Sequence, residues 1–445
     1  MPKIQMRRDT SANWKSVNPT LLAGEWALET DTKKMKIGDG TTGYNSLSYF
    51  REEDNKWQKP SEWIDIRSGQ IANSIYFLVG HSAPTENEGT YTVSTYPSFS
   101  VYATVSTAAN TYDVYVDGIK VATTANGTAT TLNWGTLYTN GTITGGHDVT
   151  YPSALTTHIV RITPTTGTDT ISRIYVYPIS GQVQQGVLWV HFNISNSIAL
   201  SYLLGAGSHG SRTVQNSLAE AITSSNGEIK AKTSIAQMCF YATSLKEIPV
   251  LDFGNNSLDC YGSFDTSSLL KKVHIKNGTL GSAYIFYNSP KLTDIILENC
   301  YITGNSFDYL FFNCNSLKKL PPMNMASVTV AGNCGYGLSG LENTMMDFTA
   351  ASGLTILGFR GDSTNRTDGL KAIIVSASAP FDYATAPQIN VSYTGLTRAA
   401  LVNLFNSMPT VTGGQVITVT GVTGAADLTD ADLAIATGKG WTVTR

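Results

Sequence analysis

Four segments decide how this chain is read: CFYATSLKEIP at 239–249, FDTSSLLKKVHI at 264–275, FYNSPKLTDIIL at 286–297 and FFNCNSLKKLPP at 311–322. Laid on one another they need no gaps. Leu245, Leu270, Leu292 and Leu317 then fall in one column, at steps of 25, 22 and 25 residues. Phe264, Phe286 and Phe311 form a second column six residues earlier, where the first segment has Cys239. Two fainter copies follow. FTAASGLTIL places Phe348 six residues before Leu354, and GLKAIIV, around Leu370, keeps only the strand half. A period in the low twenties with a leucine core and one short strand per unit is the pattern of a leucine-rich solenoid. No unit of such an array buries its own apolar face, so neighbours stack and the columns become one core.

The aromatic start, polar middle and SLKxIP exit of each unit resemble the BspA-like subclass of leucine-rich repeats, common in bacterial surface proteins and phage adhesins. The resemblance is specific over the first four copies and loose afterwards. We place the array at 236–385 and a cap at 386–445. In the cap, LTRAALVNLFNSM has the apolar spacing of an amphipathic helix closed by Pro409. QVITVTG reads as a strand, LTDADLAIATGKG as a second helix with Asp430 and Asp432 in its first turn, and WTVTR as a last strand. Helix, strand, helix, strand suits the covering of an open solenoid end. This ending also resembles the C-terminus of phage tail proteins that carry BspA-like arrays.

Upstream of the array, residues 71–180 hold β-branched and aromatic runs (IYFLVG, YTVSTY, FSVYATV, YDVYVDGIKVATT, HIVRITP, ISRIYVYPI) ended by Gly, Pro, Asn or Asp. They predict a two-sheet sandwich, with Val116-Asp117-Gly118-Ile119 as its clearest hairpin turn. Trp134, Tyr138 and His147 fall in its loop-rich part, where exposure would suit sugar contact; a plain spacer is the other reading. Residues 181–235 read as a bridge with one strand, VLWVHFNI, and one short helix, SRTVQNSLAEAITSS. Residues 51–70 are charged and broken by Pro60, as in a linker or neck.

The first fifty residues have their own grammar: IQMRRDTSANWKSVNPTLLAGEWALETDTKKMKIGDGTTGYNSL at 4–47. Gly24-Glu25 and Gly38-Asp39-Gly40 are turn chemistry, and Trp26 to Ile37 alternates as a hairpin around Asp31-Thr32. So small a module has too little core to stand alone and needs a partner, most simply copies of itself. The wording resembles the N-terminal signature of phage tail-fibre and receptor-binding proteins, including the tail-associated hyaluronidases, over roughly residues 4–49. That resemblance implies an anchor to other tail or baseplate proteins, carried by Arg7, Arg8, Trp14, Gly24, Glu25, Lys36, Gly38, Asp39 and Gly40. It also implies a homotrimer. Tyr44 departs from the family, which often has Trp there.

Composition agrees with this frame. Only 14 % of the 445 residues are charged, Gly numbers 40, and the net charge is −3. Such a chain is mainly β with neutral polar surfaces, and it shows no basic stripe for nucleic acid. No apolar run is long enough to span a membrane, and the N-terminus lacks the apolar core of a signal peptide, which predicts synthesis in a cytoplasm and no membrane insertion. Five cysteines between Cys239 and Cys334 show no CxxC pairing and read as buried thiols.

A catalytic or metal site was sought by motif and not found. The six histidines are scattered without metal-ligand spacing, and no nucleophile elbow or phosphate loop occurs. Glu52-Glu53 and Asp430-Asp432 read better as solvated or capping carboxylates than as a glycosidase pair. The expectation is therefore a non-enzyme with no cofactor and no metal. Asn255, Asn256, Asn277, Asn288, Asn299, Asn305, Asn313, Asn315 and Asn333 recur in the array and read as turn residues rather than ligand contacts. Tyr261, Tyr284, Tyr301, Tyr309 and Tyr336 differ in register between copies and have two readings. Exposed beside Asn and Asp they would form a carbohydrate platform; otherwise they fill space between repeats. The expected molecule is mainly β and multidomain: an N-terminal β-hairpin attachment module at 1–50, a β-sandwich, and a leucine-rich-repeat solenoid with an α/β cap. It would be a virion tail protein holding a host surface glycan or protein.

Overall fold

The structure, a computed structural model, describes residues 7–32, 35–47, 71–144, 147–149, 155–176, 186–204, 218–281 and 283–445. The predicted neck, with Glu52 and Glu53, lies outside them. The chain forms two units, Met1–Gln70 and Ile71–Arg445.

In the first unit β1 (Arg7–Asp9) runs parallel to β2 (Trp26–Glu29), which pairs antiparallel with β3 (Met35–Ile37). The expected hairpin is thus present, with Trp26 opposite Ile37. A helix that the sequence reading did not foresee, α1 (Ser11–Val17), lies between β1 and β2. It starts because the Thr10 hydroxyl accepts from the Asn13 amide, and it stops at Asn18 in the left-handed conformation. Among the described residues the buried core of this unit is Trp14, Leu21, Ala27 and Tyr44, with Leu47 against it.

The second unit begins with β4 (Ser74–His81), β5 (Thr85–Asn87), β6 (Thr90–Thr92), β7 (Ser98–Val105), β8 (Thr111–Val116), β9 (Ile119–Ala125) and β10 (Thr128–Asn133). There follow α2 (Trp134–Thr139), β11 (His147–Val149), β12 (Leu155–Pro164), β13 (Ile171–Val176), β14 (Val187–Asn193) and β15 (Ala221–Ser224). One sheet runs β15-β14-β4-β12-β8-β9 with β11 on β12; a smaller one runs β10-β7-β13. Strand β4 is buried along its whole length, as a central strand covered on both faces must be. Phe77 of β4 meets Phe99 of β7 at 5.4 Å between ring centres, and both sheets feed one apolar core. The β8–β9 turn is the one expected, with Asp117 and Gly118 both at positive φ.

The bridge is corrected in two ways. VLWVHFNI is the strand expected, but as β14 it pairs with β4 inside the larger sheet and not within a separate bridge. The described part of SRTVQNSLAEAITSS is not helical either, since Ala221–Ser224 is β15, parallel to β14. Ile222 is fully buried and opposite Val190, and that pairing outweighs a short run of helical spacing.

The repeat array is a β-solenoid. Its first ladder is β16 (Glu228–Lys230), β17 (Val250–Asp259), β18 (Lys272–Gly281) and β19 (Asp294–Thr303), all parallel. Leu245, Leu270, Leu292 and Leu317 are all fully buried, as are Cys239, Phe264, Phe286 and Phe311. Phe264, Phe286 and Phe311 stack face to face at 5.6 and 5.9 Å. A further coil escaped the sequence reading: Leu341 stands 24 residues after Leu317, and Gly335 occupies the Phe column, its missing side chain replaced by the ring of Phe359.

Each coil turns at left-handed corners kept in register. Gln237, Gly262, Tyr284 and Tyr309 form one such file; Tyr241, Thr266, Asn288, Asn313 and Gly337 form another; Asn255, Asn277 and Asn299 form a third. The asparagines bond up the stack, Asn277 Nδ2 to Asp252 at 3.1 Å and Asn313 Nδ2 to Asn288 at 3.5 Å. Asparagine suits both demands, since it tolerates this backbone and carries its own donor and acceptor.

The solenoid continues through β20 (Val330–Tyr336), β21 (Thr344–Phe348), β22 (Ile356–Arg360), β23 (Leu370–Val375) and β24 (Ile389–Asn390). The last elements are α3 (Arg398–Ser407), β25 (Val416–Thr418), α4 (Asp430–Thr437) and β26 (Thr442–Thr444), in the predicted helix-strand alternation. Strands β25 and β26 extend the parallel ladder β20-β22-β24, so the C-terminal segment prolongs the coil while its helices cover it. Asp432 closes a capping box with Thr429 and pairs with Arg398 at 2.7 Å, which is the capping role expected of it.

Candidate functional site

The residues singled out in the first unit hold that unit together. Arg7 reaches Glu25 at 3.3 Å and lies over the Trp14 ring at 5.3 Å. The other Glu25 oxygen accepts from the Leu22 amide at 2.8 Å, closing the turn that Gly24 makes at positive φ. Trp14 stacks on Tyr44 at 4.8 Å and donates from Nε1 to the Leu28 carbonyl at 3.1 Å. Lys36 is buried, and its ammonium donates to the Tyr44 carbonyl at 2.8 Å. At Gly38 any Cβ would lie 2.3 Å from the Leu22 carbonyl oxygen, so only glycine fits. Asp39 accepts from Thr42 and Thr41, bonds that hold its carboxyl far below the usual carboxylate range, and Gly40 follows at positive φ.

Tyr44 is held at both its ring and its hydroxyl. Its hydroxyl donates to the buried Glu29 at 2.8 Å while its ring still stacks on Trp14. Arg8, Val17 and Leu22 face outward.

On the solenoid, four of the five chosen tyrosines come together and one stands apart. Tyr261 meets Tyr284 edge to face at 5.6 Å, and Tyr284 stacks on Tyr309 at 4.9 Å with ring planes 11° apart. Tyr284 and Tyr309 do share a register, each eight residues before its column leucine. A second file beside them joins Tyr336 to two residues that were missed, Tyr287 and Phe312; each stands five residues before Leu292, Leu317 or Leu341, and they stack at 5.0 and 4.6 Å. The spacing from the leucine column was the signal that would have found it. The guanidinium of Arg360 lies over Tyr336 at 4.8 Å and ends the ladder. Tyr301, 42 % exposed on β19, is not part of it.

These rings are half-buried, and their faces are turned to each other along the solenoid. With their faces so occupied, the rings are approached from their edges. Carboxylates line the row. Asp308 lies close enough to raise both Tyr284 and Tyr309, burial being the larger cause at each; burial also pushes Asp308 itself up. Tyr336 donates to Asp362 at 2.5 Å. Tyr284 and Tyr309 hold left-handed backbone at φ 59° and 55°, costly for an aromatic side chain where Gly262 in the same file is at ease.

Trp134 and Tyr138 are not exposed. They sit in α2 and are buried with His81 and His158 in an aromatic cluster, His81 to Trp134 at 5.0 Å and His81 to His158 at 5.2 Å. The Tyr138 hydroxyl lies 2.7 Å from His158 Nε2, and His158 Nδ1 lies 2.5 Å from Asp117. Apolar rings around imidazoles exclude water, so burial drives His81 down to about 4. A loop-rich sequence here hides a helix whose Trp and Tyr face inward. Of His147 only the strand position is described.

All five cysteines are buried free thiols, and no group of His, Cys, Asp and Glu among the described residues is placed to hold a metal ion. Among the described residues no helix is long and apolar enough to cross a membrane.

Residues 4–42 match the family model of the major tropism determinant N-terminal domain. No curated protein and no solved structure matches the chain.

Proposed function

We propose that this chain is a phage tail fibre or receptor-binding protein. Its N-terminal module attaches to other tail or baseplate proteins, and its solenoid, a leucine-rich array of BspA-like kind, holds a glycan or protein on the host bacterium. The sheet domain, read as a sandwich, spaces the two. Assembly as a homotrimer makes second and third contacts intramolecular and so raises avidity. No bond is broken: the reading is adhesion without catalysis, in a virion tail component. The observation that carries it is the match of residues 4–42 to a tropism-determinant N-terminal domain, on a chain whose other unit contains a β-solenoid with an aromatic ladder on its flank. A solenoid corner-bonded coil by coil also loses little freedom on contact, which favours many weak contacts.

The test is binding of labelled full-length protein to a panel of bacterial strains with and without capsule, with the supernatant assayed for freed sugar. Binding to one or a few strains without sugar release supports the proposal. Freed oligosaccharide would make the protein a tail-borne depolymerase. Absence of binding on a panel holding the host of the phage would move it to a structural part of the baseplate.

A further inference from the structure

The ladder has a pitch, a chemistry and a sign. Its stacked steps measure 4.9, 5.0 and 4.6 Å, set by the rise of the parallel coils beneath it. That rise is close to the length of one pyranose unit in an extended chain. A ligand that repeats at this pitch meets an aromatic edge on every coil; a folded protein surface does not repeat.

The ring faces are already stacked on each other, so a partner cannot sandwich between them. It meets ring edges, with a phenol at every rung but Phe312 and the Tyr336 hydroxyl already bonded to Asp362; such a strip suits a polyhydroxylated chain with its own donors, acceptors and CH edges. Carboxylates outnumber cations along the row: Asp308 beside Tyr284 and Tyr309, and Asp362 bonded to Tyr336, against Arg360 at one end. Arg360 is itself engaged, over the Tyr336 ring and with Asn333 at 3.3 Å. An acidic polysaccharide would be repelled along most of this strip.

We infer that this ladder seats a linear, uncharged glycan laid along the solenoid axis, successive sugar units meeting successive rungs. The inference rests on the receptor-binding reading above and narrows its ligand. The left-handed tyrosines fit it: Tyr284 and Tyr309 stand where the backbone favours glycine, and each places a ring on the strip.

The experiment uses the full chain and a strain that it binds. Surface polysaccharide from that strain is split by anion exchange into an unretained neutral fraction and a retained acidic fraction, and each competes for cell binding. Competition by the neutral fraction is expected, with Tyr309→Phe and Tyr287→Phe each weakening it about tenfold by loss of one hydroxyl contact. Both variants keep their rings, and unchanged thermal unfolding certifies their fold. Competition by the acidic fraction alone, by neither fraction, or with both variants as good as the parent overturns the inference. Loss of cell binding after protease treatment with no effect of periodate overturns it too and makes the receptor a protein, leaving the receptor-binding reading intact. If no strain binds, that earlier reading fails first.

Discussion

Among its described residues the first unit closes on a buried core of four, Trp14, Leu21, Ala27 and Tyr44, whereas the solenoid stacks Leu and Phe columns through five coils from Leu245 to Leu341. Turn chemistry, buried charge and a few aromatic contacts hold the one; repeated apolar columns and asparagine corners hold the other. The difference teaches where each region gets its stability. A module whose Lys36 and Glu29 are buried around one tyrosine depends on every polar contact being made, and burying so little apolar area leaves it marginal alone. A solenoid spreads its stability over neighbour interfaces, so no corner bond is decisive but each core column is.

Breaking a column should have the largest effect. Phe286→Ala removes a ring stacked on both sides in a fully buried file and should cost about 3–5 kcal/mol. Urea denaturation followed by far-ultraviolet dichroism should show the shift in the transition of the second unit alone. An equal shift in the first unit's transition would break the comparison.

Acid sharpens it next. His81 is buried, with His158, Tyr138 and Trp134 around it and Asp117 beyond, and its folded pKa is down at about 4. The unfolded chain binds that proton near 6.5, so the contribution is complete above about 6.5 and is lost as pH falls toward 4. Between pH 7.5 and 5 the second unit should lose about 2 kcal/mol, and His81→Gln should flatten that slope. The Asp39 turn in the first unit, held far lower, should not respond in this range. A His81→Gln variant with the parental pH slope would refute the assignment.

A corner should matter less than a column. Asn277→Ala loses the bond to Asp252 and places alanine at φ 56°, for about 1–2 kcal/mol. Asn277→Gly should cost less, since glycine adopts the corner freely; the reverse order in thermal melts would mean that the backbone is not what asparagine is chosen for. The smallest effect belongs to Trp14→Phe, which keeps a stacked ring but removes the bond to Leu28, for about 1 kcal/mol in the first unit only. Observing that loss in the second unit instead would show that the two do not unfold independently.

Much of the solenoid was legible because its signal is one-dimensional. Leu245, Leu270, Leu292 and Leu317 repeat in the sequence and stack in space for the same reason, that each coil buries its leucine on the next. The fifth coil was hidden because Gly335 stands where the Phe column should be, its space filled by Phe359 from the coil beyond. The sheet domain was legible in its strands and not in its pairing: nothing local says that Val187–Asn193 belongs beside Ser74–His81. Trp134 and Tyr138 misled for the same reason, since a short helix among turn residues has no period long enough to show which side is buried. The residues marked for attachment were named from resemblance alone, and their positions inside the unit's own turns were not foreseeable from it.

By itself the sequence determined the period, the core columns, the turn residues and the helix-strand order of the C-terminal end, because those follow from local geometry and nearest-neighbour burial. Only the tertiary structure decided that Tyr287, Phe312 and Tyr336 stand beside Tyr261, Tyr284 and Tyr309 in one ladder while Tyr301 stands apart. Which side chains share a surface depends on where each coil turns its corner, and that is fixed by the stacking of coils twenty-odd residues apart.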